Sequence, residues 1–184
     1  MQDESKQPPH DAPANRPELD DATIDFAAQV FDLARAGDAA MLEPLLAKGL
    51  PPNLRNHKGD SLLMLASYHG HLEAARVLLS HQADANLRND NGQTPIAGAA
   101  FKGNLPMIKL LLEFGADVEG ASPDGRTALM IAAMFNRTEI VDFLVAQGAN
   151  VKAQDAGGVT AQDAAVRMGA TDTPVQLEKI ARGE

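Results

Sequence analysis

The chain has no cysteine and no tryptophan, a single tyrosine and six phenylalanines in 184 residues. Without thiols it can form no disulfide, no thiolate nucleophile and no Cys-ligated zinc site, and cysteine usage says nothing about its compartment. Aromatic residues make up only 4% of the chain. That is thin material for a deep globular core, and the dominance of Ala and Leu suits stacked slender helices better. Long apolar runs are missing as well. The longest, Ala128 to Phe135, falls far short of the roughly 20 residues a membrane span needs, so no membrane contact is expected. Positive charge is scarce: 16 Lys and Arg stand against 25 Asp and Glu, for a net charge of -9 and a pI near 4.9. Phosphate binding needs a cationic surface, so nucleic acid is not expected as a partner, whereas a basic or amphipathic protein is. The first residues, MQDESKQPPHDAPANRPELDD, carry neither a basic n-region nor an apolar stretch. This predicts no signal peptide and a cytoplasmic location. Catalytic signatures are also lacking. There is no GxSxG, no Gly-rich phosphate loop and no convincing His and carboxylate pair, so no enzyme, no catalytic residue and no cofactor is expected.

What the chain does have is a period. Gly92 has counterparts at Gly59, Gly125 and Gly158, and Thr94 has counterparts at Ser61, Thr127 and Thr160, so the interval is 33 residues throughout. Gly103 matches Gly37, Gly70 and Gly169, and Leu111-Leu112 matches Leu45-Leu46, Leu78-Leu79 and Leu144-Val145. Self-similarity at this spacing implies a solenoid of stacked supersecondary units, each too small to bury its apolar face alone.

The residues at the repeating positions say what one unit is. Gly92-Gln93-Thr94-Pro95 reads as a turn followed by a helix start, with Thr94 as N-cap and Pro95 at the first helical position, where a missing N–H costs nothing. Ala99-Ala100 let a neighbouring unit approach closely, and Gly103 ends the helix at a site expected to need positive φ. Asn104 can cap a second helix. In it Leu105, Ile108, Leu111 and Leu112 form one apolar stripe, and Gly115 closes it. Asn136 and Gln82 stand where other units have helix-ending glycines, and Asn tolerates the left-handed conformation better than Gln.

A 33-residue unit of turn, helix and helix, with GxTP before the first helix and GAD after the second, resembles the ankyrin repeat. The resemblance covers about Ala22 to Ala170. It implies an all-α ankyrin-repeat solenoid of stacked helix-turn-helix units with short hairpin loops, about five units including atypical caps. The family's TPLH tetrapeptide stands here as SLLM, TPIA, TALM and TAQD, so its histidine is absent throughout. The chain is similar to small stand-alone bacterial members of that family. In order, residues 1–19 read as a flexible acidic, Pro-rich tail. The ankyrin domain then spans 20–184, with an N-terminal cap repeat at 20–55, full repeats at 56–88, 89–121 and 122–154, and a C-terminal cap repeat at 155–184. In the first cap, Ile24, Phe26, Ala27, Val30, Phe31 and Ala34 are expected to form the apolar face, and Pro44 to bend the second helix. In the last, Thr173 with Gln176 fits a capping box, with Pro174 at the first helical position.

Residues that hold a stack repeat; those that do not repeat are free to bind. The resemblance implies recognition through hairpin tips and the solvent-facing ends of first helices, on a concave face. By register these are His57, Lys58, Asp60, Tyr68 and His69, then Asp90, Asn91, Gln93, Phe101 and Lys102. Further along come Pro123, Asp124, Arg126, Met134 and Phe135, and finally Val159, Arg167 and Met168. The stripe of Tyr68, Phe101, Met134, Phe135 and Met168 is the informative part, because interfaces enrich aromatics and Met while a monomer surface has little reason to align them. The bland alternative is that these side chains pack back on neighbouring helices. The expected function is a non-catalytic, monomeric module that binds one protein partner through this face, as inhibitor, immunity or accessory protein of an enzyme or toxin. A self-associating scaffold is the alternative. A metal or small-ligand site at His57, His69 and His81 is a weaker one, since no carboxylate falls at ligand spacing.

Overall fold

The computed structural model describes residues 20–184, and the tail expected at 1–19 lies outside them. The described residues form ten helices and no strand. They come in pairs: α1 (Asp21–Ala36) with α2 (Ala39–Ala47), α3 (Leu62–Tyr68) with α4 (Leu72–Ser80), α5 (Pro95–Lys102) with α6 (Leu105–Glu113), α7 (Ala128–Met134) with α8 (Thr138–Ala146), and α9 (Ala161–Arg167) with α10 (Thr173–Arg182). The first helices stack in one row, α1 on α3, α3 on α5, α5 on α7 and α7 on α9. Behind them α2 packs on α4 and α4 on α6, while α10 closes the array against α7, α8 and α9.

Seven of the ten described helices start at a side-chain cap supplied by their own N-cap residue. The hydroxyls of Ser61, Thr94 and Thr127 accept from the backbone N–H of Met64, Ala97 and Met130 at 3.1, 3.4 and 3.3 Å. Asn104 caps α6 by accepting from Met107 N–H at 3.0 Å. Pro95 opens α5 as expected. Between the rows lies the core. Leu42, Leu78, Ile108, Leu111 and Leu144 are fully buried, together with Ala66, Ala99, Ala100, Ala132 and Ala133, whose single methyl groups let the first helices sit close.

The turns join the units by a relay of hydrogen bonds. Asn89 donates to the Asp60 carboxylate at 2.9 Å, Asp90 N–H donates to Lys58 C=O at 3.1 Å, and Ala156 N–H donates to Asp124 C=O at 2.9 Å. These turns need glycine. Gly92 has φ +71°, and a Cβ there would lie 2.2 Å from the ring of Pro123 in the next unit. Gln82 and Asn136 take the left-handed conformation at φ 68° and 55°.

Two local expectations are corrected, on the apolar face of α1 and on the start of α10. Val30 and Ala34 are buried and Ala27 and Phe31 half-buried, but Ile24 and Phe26 are exposed. The reason is length. α1 has 16 residues against seven in α3, so its first two turns stand, in register, where later units have a turn, and no described residue covers Ile24 or Phe26. Pro44 lies inside α2, and the helix continues past it to Ala47. The capping box at Thr173 does not form. Helix α10 starts one residue earlier, the buried Thr173 hydroxyl donates to Ala133 C=O at 2.7 Å, and Gln176 donates to Thr138 C=O at 2.9 Å. The cap comes from the preceding unit instead: Asn136 Oδ1 accepts from the N–H groups of Asp172 and Thr173 at 2.9 and 3.1 Å. A capping box does form one helix earlier, where Thr160 and Asp163 bond reciprocally at the start of α9.

Candidate functional site

The short first helices place one residue per unit at the same register point, exposed at Tyr68 and Phe101 and half-buried at Met134, just before the chain turns back at Gly70, Gly103 or Asn136. Tyr68 ends α3, Phe101 is the last but one residue of α5, and Met134 ends α7 with Phe135 as its C-cap. Together with the turns over 91–95 and 122–126 these helix ends line an open groove of about 710 Å³. Its apolar surface comes from Met64, Tyr68, Pro95, Ala97, Gly98, Phe101, Pro123, Ile131, Met134 and Phe135. Asn91, Gln93, Asp124 and Arg126 supply polar groups along the same groove.

The aromatic side chains are packed and exposed at once. Phe101 and Phe135 meet edge to face with centroids 5.0 Å apart, a geometry worth about 0.5–1.5 kcal/mol beyond area burial. Both still present surface, 44% and 37% of their maximum, and Tyr68 presents 40%. The ammonium of Lys102 lies 4.6 Å from the Tyr68 ring centroid, and His69 sits edge-on to Tyr68 and stacked near His71. Burial above all, and then the charges of His71, Lys102 and Arg35, hold the His69 imidazole below its ordinary pKa and so favour the neutral ring. His71 works between units: its Nε2 lies 3.0 Å from Arg35 C=O.

The carboxylates of the rim are engaged. Asp90 pairs with Arg55 at 3.0 Å, and Asp124 pairs with Arg126 at 3.2 Å and accepts from the Ser122 hydroxyl, which is the main reason its pKa is lowered. Asp60 is half-buried and accepts from Asn89 and Asn56, so it joins turns together. His57 and Lys58 are exposed at the tip of the first turn, outside the groove lining. Arg167 and Met168 are exposed at the end of α9, away from the groove, and Val159 is buried. Among the described residues no three His, Cys, Asp or Glu side chains converge as metal ligands would. No described helix is long and apolar enough to cross a membrane.

The groove also takes in Met64, Ser67, Ile131 and above all Gly98, none of which the aromatic and charged positions point to. The signal for Gly98 was the period itself, since its register equivalents are Leu65, Ile131 and Ala164.

Comparison with known proteins agrees with the turn, cap and stacking geometry. The family model of ankyrin repeats in three copies matches residues 30–122 and again 99–174, which together cover most of the chain. The chain belongs to the ankyrin-repeat family. A curated protein of Pseudomonas aeruginosa, named as an ankyrin repeat protein, is 68% identical over 62 residues, which is 34% of this chain. The chain spans about 36% of the length of that relative. Ankyrin arrays are in general protein–protein interaction modules and typically lack catalytic activity.

Proposed function

We propose that this protein is a non-catalytic binding module that holds a single protein partner in the groove formed by the ends of α3, α5 and α7. One observation carries the reading: Tyr68, Phe101 and Phe135 stand at non-repeating positions, line one apolar groove and remain more than a third exposed. Interfaces concentrate their binding energy in such aromatic anchors surrounded by a polar rim. Met134 and Arg126 extend the surface, while Lys102 and His69 flank it. The regulatory form of the activity, inhibition or protection of a separately encoded enzyme or toxin, follows the analogy with small bacterial ankyrin proteins.

The test is affinity capture from the native organism, with wild type run beside a Phe101, Met134 and Phe135 triple alanine variant. A protein retained by the first, lost by the second, and bound again by purified wild type in a titration supports the reading. Proteins captured equally by both would remove it. A second reading, end-to-end self-association, is favoured by apolar residues at both ends of the stack: Ile24, Phe26 and Met41 on the first unit, and Val166, Met168 and Val175 on the last, are all exposed. Sedimentation at micromolar concentration separates the two, since a monomer there excludes the second.

A further inference from the structure

We propose that Gly98 opens a notch in the floor of the groove, and that the notch receives one aliphatic or aromatic side chain from a partner segment with acidic residues next to that anchor. The proposal rests on the groove being the binding surface. It concerns a missing side chain. Leu65, Gly98, Ile131 and Ala164 occupy one register position, and only the unit in the middle of the groove lacks a side chain there.

Neither backbone nor crowding asks for this glycine. Gly98 lies inside α5 and is absent from the glycines with positive φ, so it has ordinary helical geometry. A Cβ built on it meets only the Tyr68 ring edge, at 3.5 Å, an ordinary contact distance. The turn glycine Gly92, by contrast, would clash at 2.2 Å. Inside a helix glycine is the poorest choice after proline, because it gives up the most backbone freedom on folding. Gly98 is therefore a local weakness with no compensating role in the fold. What it provides is space. Tyr68, Phe101, Ile131 and Phe135 line the same groove around it, and a leucine at 98 would fill that space.

Charge identifies the occupant. Asp90 and Asp124 are committed to Arg55 and Arg126, and Asp60 is committed to Asn89. Lys102, at the end of α5 with its ammonium over the Tyr68 ring, forms no salt bridge within the described residues. On a chain of net charge -9, this cation favours a carboxylate on whatever segment enters beside it. An apolar anchor with acidic neighbours fits both features.

A displayed library of twelve-residue peptides, panned on the wild-type protein, supplies the probe. Enriched peptides are expected to carry a large apolar residue flanked by Asp or Glu. Gly98→Leu is expected to weaken them at least tenfold while the protein keeps its helical circular dichroism, and Lys102→Glu to weaken them further. Gly98→Ala controls for folding: its melting temperature should rise by roughly 2–4 °C. Peptides that bind Gly98→Leu within twofold of wild type, or that lack acidic residues, overturn the proposal. If Phe101→Ala abolishes binding while Gly98→Leu does not, the notch fails and the groove stands. Failure to enrich any peptide, or indifference to Phe101→Ala, removes the groove reading and the notch with it. A wild-type dimer that Gly98→Leu dissociates would put a second copy of the chain in the notch, and this too overturns the assignment.

Discussion

Replacing Asn136 by alanine and, separately, by glycine separates two contributions of one residue. Asn136 holds φ 55°, a left-handed conformation that costs an alanine roughly 1–2 kcal/mol and glycine almost nothing. Its amide also supplies the cap of α10, accepting from the N–H groups of Asp172 and Thr173 and donating to Asp172 Oδ2 at 2.8 Å and Thr171 Oγ1 at 3.2 Å. The N-cap residue of α10, Asp172, offers no side-chain cap of its own, so nothing replaces these bonds. Loss of an N-cap costs about 1 kcal/mol, within a range of roughly 0.5–2. Asn136→Gly should therefore lose about 1 kcal/mol and Asn136→Ala about 2–3 kcal/mol. Urea unfolding followed by far-UV circular dichroism measures both, and hydrogen exchange should show faster exchange in α10 in both variants. A glycine variant as stable as wild type would show that the cap contributes nothing. Equal losses in the two variants would show that the left-handed backbone makes no demand.

Three further outcomes are expected. Leu111→Ala removes three carbons from a fully buried site between the helix rows and should cost about 2–5 kcal/mol in urea unfolding; a loss under about 1 kcal/mol would mean the rows are not packed as described. Asp124, Asp163 and Asp172 are held below the usual carboxylate range, chiefly by hydrogen bonds from the side chains of Ser122, Thr160 and Asn136 respectively. Their stabilisation is complete above about pH 4 and is lost as pH falls through their folded values, so the melting temperature should drop in that acid window, and less steeply in Asp172→Asn. His69 acts earlier on the same scale: its folded pKa is lowered, so below about pH 6.5 the unfolded chain takes up a proton that the folded one resists. Stability should decline there, and His69→Gln should flatten the decline in melting curves taken from pH 7 to 5.

The stack was legible because its determinants are local. Thr94 caps α5 by accepting from an N–H three residues on, Pro95 opens the helix, and Gly92 makes the turn, so one window of sequence contains both the cause and the effect. The start of α10 was not legible, since its cap arrives from Asn136, 36 residues earlier in the chain, through contacts that exist only once the units have stacked. Similarly, Asp60 reads as a free rim charge until Asn89 of the next turn is placed against it. The apolar pattern of α1 placed Ile24 and Phe26 on one face with Val30 and Ala34, but both stand exposed on the first two turns of the helix. In the groove, Tyr68, Phe101 and Phe135 stood out as aromatics at positions the other units vary. Gly98 did not, because a missing side chain becomes visible only when the walls around it are known.

Where the partner sits can be measured directly by hydrogen exchange on the free protein and on its complex with the captured partner. Protection should be confined to the ends of α3, α5 and α7 and to the turns over 90–95 and 122–126. Protection concentrated instead on α4, α6 and α8, with the groove segments unchanged, would contradict the assignment of the groove as the binding face.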